Sequence, residues 1–195
     1  MSLRILNELS TYRLLSAISL KTAFGARDHA LIRLALQTGL RVSKLTGLDV
    51  GLVWGADDPR QWLDLPHAIA KNHKSRRIPL SAAARRAITD LVDFLKMRGF
   101  QSNPESPLLQ DRRHRRLPVR EVQRLVQKYR ETAGLDVRAT PHSLRHSWAS
   151  QLARAGSLRA VQQMAGHKNI ASTEIYLHTQ PHELMAAVES LPSYA

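Results

Sequence analysis

Apolar residues recur at three- and four-residue intervals along most of the chain, which predicts a largely helical protein. A first helix is expected over residues 10–22, with Leu14, Leu15 and Ile18 on one face and Ser10 or Thr11 as its cap. A second is expected over 26–39, where Leu31, Ile32, Leu34 and Leu36 are apolar and Gly39 acts as terminator. A short helix then opens at Arg41 and carries Leu45 and Leu48. Ser81 can cap a further helix in which Ile88, Leu91, Val92 and Leu95 line one face, ending near Gly99. Val122, Leu125, Val126 and Tyr129 form a similar stripe over 119–133. Helices are also predicted over 142–155, 158–165, 172–178 and 181–191.

Helical periodicity fails between Asp49 and Leu80. There "DVGLVWGADDPRQWLDLPHAIAKNHKSRRIPL" alternates short apolar runs with turn residues, and predicts a small antiparallel sheet of about three strands. Asp57, Asp58 and Pro59 mark one turn, and the residues from Lys71 to Lys74 mark another. "QSNPESPLLQDRRHRRLP" reads as a loop. The expected class is α+β, mostly α: a single helical domain over 1–195 with a small three-stranded antiparallel sheet.

Composition narrows the class of function. A chain of 195 residues, 43% hydrophobic, can bury one substantial core. The absence of cysteine excludes disulfide scaffolds and thiolate metal sites and agrees with a reducing, cytoplasmic setting. No apolar run reaches the ~18 residues that a membrane span needs, and no signal-peptide pattern opens the chain. Lysine and arginine total 29 against 16 acidic residues, a net charge of +13. Such an excess points to a polyanionic partner. An anionic membrane would favour cations gathered on one apolar-backed helix. Here they are spread over turns and several helices, which favours nucleic acid. The run Arg112, Arg113, Arg115 and Arg116 is either a solvated loop or a phosphate-contacting one. With Lys74 and Arg76 of the predicted sheet, these four arginines are the candidate nucleic-acid contacts.

The candidate chemistry centres on "HSLRH", His142 to His146. His142 and His146 have the i, i+4 spacing of a zinc-protease motif, but Ser143 occupies the place of its glutamate and no nearby acid offers a third ligand. Asp90 and Asp93 share one helix face and Asp57 and Asp58 one turn, and neither pair resembles a two-metal nuclease. A metal is therefore not expected. A structural histidine pair and a phosphate site around Arg145 remain.

Three other blocks bear on that choice. "TGLRVSKLTGL" surrounds Arg41, "AKNHKSRRIPL" places Lys71 eight residues before Pro79, and "MAGHKNIASTEIYLH" places Tyr176 nine residues after His167. In this order, over about residues 38–178, the four blocks resemble the tyrosine recombinases, the phage-integrase family. The resemblance implies the family's catalytic domain, acting on double-stranded DNA by strand breakage and rejoining, without metal or other cofactor. It implies a catalytic set of Arg41, Lys71, His142, Arg145, His167 and Tyr176. In that set the arginines and His167 grip phosphate, His142 takes the tyrosine proton, and Lys71 protonates the leaving oxygen. His146 and His178 are left as structural or phosphate-side neighbours, and Tyr129 as core.

Departures exist. Lys44 stands where the family usually has an acidic buttress, Ala165 replaces a leucine, and the family's separate N-terminal domain has no counterpart here. The implied assembly is a monomer in free solution that meets other protomers on DNA, with the helix over about 181–191 docking in cis or in trans. Two alternatives stand beside recombination: strand relaxation of the type IB topoisomerase kind, and a DNA-binding remnant or regulator with impaired catalysis.

Overall fold

The computed structural model describes residues 5–66, 76–136, 139–154, 185–186 and 188–194. At its centre is α2 (Gly25–Thr38), whose residues are buried almost all round. α1 (Glu8–Ser16) precedes it. After it come α3 (Val42–Leu45), α4 (Val50–Val53), strands β1 (Trp62–Leu65) and β2 (Arg76–Pro79), and helices α5 (Ala82–Met97), α6 (Val119–Thr132) and α7 (Pro141–Arg154). α5 and α7 pack against α2, and α6 touches α1, α3 and α7. A helix covered on several sides must be apolar around its circumference. Leu31, Ile32, Leu34 and Leu36 meet that requirement, and the one cation near its middle, Arg33, reaches out to Asp90 of α5 at 2.6 Å.

Among the described residues the helical expectations hold with local corrections, while those over 158–165 and 172–178 lie outside them. Ser81 does cap α5, its hydroxyl accepting from the Ala84 N–H at 3.1 Å. Gly39 does close α2, in the left-handed region at φ 57°. The first helix, however, starts and ends earlier than its pattern suggested. Asn7 is the cap, its side-chain oxygen accepting from the Ser10 N–H at 2.8 Å. Thr11 is instead buried in the first turn, with its hydroxyl on the Asn7 carbonyl.

The sheet is the larger correction: among the described residues it has two strands, not three. β1 and β2 pair antiparallel with Leu63 opposite Ile78, both inside, and Asp64 opposite Arg77, both outside. The run "VGLV", inside the stretch expected to form the sheet, is α4. Val50 and Val53 are buried together, as i, i+3 spacing on a helix allows. The N–H groups of Val50 and Gly51 are also taken by the carbonyls of Ser106 and Pro104, both at 2.9 Å, so they are not available to a ladder.

The stretch 101–118 is a loop, as its composition indicated, but a pinned one. Leu108, Leu109 and Leu117 are buried, and the Leu108 N–H donates to the Leu48 carbonyl at 3.0 Å. At the far end of the chain, in the segment predicted as a helix over 181–191, Val188 and Leu191 are buried, while residues 181–184 and 187 lie outside the described residues. Gln37 of α2 donates to the Pro192 carbonyl at 2.7 Å, and Glu189 accepts from the Ala82 N–H at the start of α5 at 2.9 Å. Residues 188–194 therefore pack in cis on their own domain.

Candidate active site

Arg145 of α7 reaches the corner where α2 ends and α3, capped by Arg41, begins. Gly39 turns the chain out of α2, and Arg41 follows two residues later as the cap of α3, exposed, with extended backbone at φ −62°, ψ 143°. α7 crosses this corner. Its Arg145 is buried, and one guanidinium N–H donates to the Gly39 carbonyl. The helix-ending glycine is required twice here. Its φ disfavours any side chain, and a Cβ at position 39 would lie 2.1 Å from Cε3 of Trp148, one turn beyond Arg145. The Trp148 ring thus rests on the bare backbone whose carbonyl seats Arg145.

Local sequence sets the start of α7. The Thr140 hydroxyl accepts from the Ser143 N–H at 3.2 Å, and the Ser143 hydroxyl accepts from the Thr140 N–H at 2.7 Å. This is a reciprocal cap, with Pro141 at the first helical position, which its fixed φ suits. His142 is consequently exposed in the first turn, where unpaired N–H groups and the helix dipole favour anions. Its Nε2 lies 2.8 Å from Nε2 of His146, with ring centroids 4.3 Å apart. Two imidazole nitrogens on one tetrahedral zinc at ~2.05 Å would stand roughly 3.3 Å apart. The pair has the spacing of a hydrogen bond.

No described carboxylate forms an ion pair with Arg41. Lys44, in the buttress position, is half-buried on α3, and its backbone N–H donates to the Arg41 carbonyl at 2.8 Å. Of the remaining predicted catalytic residues, Lys71 falls between β1 and β2, and His167 and Tyr176 follow α7. All three lie outside the described residues, as do Lys74 and the departure at Ala165. Arg76 opens β2 opposite Leu65.

The arginine loop divides into two kinds of residue. Arg116 pairs with Asp49 and donates to the carbonyls of Thr46 and Leu48 at 2.9 and 3.2 Å, tying the loop to α3 and α4. Arg115 pairs with Asp111 at 3.0 Å. Burial disfavours charge on Asp111. The N–H groups of Arg115 and Arg113, with the Arg115 guanidinium, outweigh that and hold the carboxyl below its ordinary range. The turn keeps this carboxylate as its anchor, with His114 left-handed at φ 61°. Arg112 and Arg113 remain exposed, and Arg112 leans over the Phe24 ring at 5.7 Å.

Sequence reasoning missed the buried group behind this loop. Arg27 pairs with Asp28 at 2.6 Å and donates to the Gln110 carbonyl at 2.7 Å. The Tyr129 hydroxyl donates to the other Asp28 oxygen at 2.7 Å. Burial, reinforced by that bond, pushes the Tyr129 phenol well above its ordinary range. Adjacent Arg27 and Asp28 on an otherwise apolar helix were the available signal, because charges survive in such a position only when paired.

A family model described as the phage integrase family matches residues 5–183. The tyrosine recombinase XerC of Salmonella typhi is 32% identical over 174 residues, covering 89% of this chain and 55% of its own length. XerC of Methylobacterium sp. (strain 4-46) is 36% identical over 166 residues, covering 85% and 49%. The chain spans about half the length of the curated relatives it matches. Among solved structures, the XerA recombinase superposes with a TM-score of 0.69 at 25% identity, over 92% of this chain and 62% of that one. The lambda integrase catalytic core shares the fold, with a TM-score of 0.61 at 20% identity over 81% and 92% of the two chains.

Proposed function

Because this chain belongs to the phage integrase family, we propose that it is the catalytic portion of a site-specific DNA recombinase, cutting and rejoining strands through a 3′-phosphotyrosyl intermediate. The observation that carries this is the seat of Arg145 on the Gly39 carbonyl, which joins the block around Arg145 to the block that holds Arg41. The guanidiniums of two arginines from segments joined by that bond are suited to a phosphodiester. Each is planar, permanently charged and able to grip two oxygens.

The chemistry has two obstacles. Ionising a tyrosine of pKa near ~10 at pH 7 costs about 4 kcal/mol, and the transition state gathers charge on the nonbridging oxygens. His142 is the base for the Tyr176 proton, since imidazole titrates near neutrality. Arg41, Arg145 and His167 meet the developing charge with fixed donors, and Lys71 protonates the departing 5′-oxygen. The phosphodiester energy is kept in the phosphotyrosine for rejoining. The natural setting we infer is the cytoplasm, and no helix among the described residues is long and apolar enough to cross a membrane.

A labelled suicide duplex, incubated with the chain in EDTA, tests this. A covalent protein–DNA adduct is the expected result. Strict dependence on added divalent metal would return His142 and His146 to the role of ligands, and noncovalent binding alone would favour the impaired remnant. Net relaxation of supercoils without strand exchange would favour the topoisomerase alternative.

The exposed part of the arginine loop serves phosphate binding. Neutralising Arg112 and Arg113 should flatten the dependence of log affinity on log salt by up to about 0.9 for each phosphate no longer neutralised, whereas Arg116→Gln should lower the melting temperature. An unchanged slope would make the loop solvated surface. The chain in free solution is a monomer with its C-terminal segment in cis, and its helix over 181–191 engages a neighbouring protomer only on DNA. Equilibrium sedimentation checks this: a dimer without DNA would sink it.

A further inference from the structure

Nothing in that mechanism uses His146, yet its ring stands within hydrogen-bond distance of the proposed base. The Nε2 atoms of His142 and His146 are 2.8 Å apart and their rings nearly perpendicular, at 86°. At that distance one nitrogen carries a hydrogen and the other presents a lone pair, because two lone pairs or two N–H groups would repel. The i, i+4 spacing on α7 makes the two rings neighbours on one helix face.

We propose that His146 is the proton-sharing partner of His142, so that the two rings take up one proton between them and resist a second. The functional half of this rests on His142 being the base. In the neutral pair His142 donates from Nε2 and keeps its Nδ1 lone pair, while His146 accepts at Nε2 and carries its hydrogen on Nδ1. When Nδ1 of His142 takes the tyrosine proton, the hydrogen on its Nε2 passes to Nε2 of His146. His142 is then neutral again and His146 is an imidazolium. The electron pair left on the phenolic oxygen forms the bond to phosphorus. Protons and charge balance without another reactant.

Among the described residues, the charged neighbour of the pair on its own helix is the cation Arg145, which disfavours a second proton. Arg145 is on the same helix, and Arg41 follows the Gly39 carbonyl that Arg145 grips. α2 carries no titratable side chain between Arg33 and Arg41. The residues α6 buries are Val122, Val126 and Tyr129, and the only titratable one of these, Tyr129, is bonded to Asp28. A doubly protonated pair would lose its hydrogen bond and set two cations side by side near others. Protonation then belongs to the pair rather than to either ring.

Imidazole nitrogen NMR on the full chain, free of DNA and in EDTA, tests the pairing directly. Wild type should show unlike tautomers for the two rings and two protonation steps more than about one pH unit apart. His146→Gln should leave a single step. Like tautomers with two independent steps near the ordinary histidine value would overturn the proposal. In single-turnover cleavage of the suicide duplex, His146→Gln and His146→Ala should slow the chemical step about tenfold or more, move the acid limb of the pH profile, and leave DNA affinity unchanged. An unmoved acid limb would overturn the relay. Paired titration in a wild-type chain that forms no adduct would uphold the pair and sink the recombinase assignment instead.

Discussion

Tyr176→Phe should abolish every covalent DNA adduct while leaving noncovalent binding nearly unchanged. The substitution removes one oxygen and keeps the ring, so the cationic surface that attracts DNA is untouched. No other tyrosine is placed to substitute. Tyr129 is buried on α6 with its hydroxyl committed to Asp28. The Tyr194 hydroxyl receives a bond from Gln151 at 2.6 Å, and burial raises its pKa as well. Tyr12 is 65% exposed on α1, outside the four sequence blocks that hold the proposed site. Denaturing electrophoresis of the labelled suicide duplex gives the answer, and peptide mapping locates any residual link. An adduct that persists in the phenylalanine variant, or that maps to Tyr194, would overturn the assignment of the nucleophile and with it the proposed mechanism.

Asp28→Ala should destabilise the described core strongly. It leaves the Arg27 guanidinium buried without its carboxylate and deprives the Tyr129 hydroxyl of its acceptor. Breaking a buried pair by removing one partner costs about 3–5 kcal/mol, because the remaining charge is uncompensated. For a chain of this size that corresponds to a melting temperature lowered by about 10 °C. Tyr129→Phe is the comparison: it removes one hydrogen bond and leaves the ion pair, for about 1–2 kcal/mol. Urea titrations of the three proteins, with m-values compared to confirm two-state behaviour, measure both. A loss in Asp28→Ala no larger than in Tyr129→Phe would show that the network is not what holds the loop against α2 and α6. The loop carries Arg112 and Arg113, so the same network also sets where those two cations stand.

The sequence alone determined what is written within a turn or two of the chain. Apolar spacing marked α2, α5, α6 and α7, because a helix repeats every 3.6 residues and records its buried face in the order of its side chains. Ser81 and Gly39 were legible as a cap and a stop because each acts on backbone groups at most four residues away. The i, i+4 spacing that lets His142 meet His146 was legible for the same reason. Four ordered blocks were enough to indicate the family. Tertiary structure decided whatever depends on docking. It turned "VGLV" into α4, because Ser106 and Pro104 take the N–H groups a strand would need. It separated Arg116, bonded to groups some seventy residues earlier in the chain, from Arg112 and Arg113, which composition cannot distinguish from it. It also placed Arg145 on the carbonyl of Gly39, 106 residues away. Hydrogen bonds over such separations depend on which helix ends meet, and that is settled only when the apolar faces of α2 and α7 have packed.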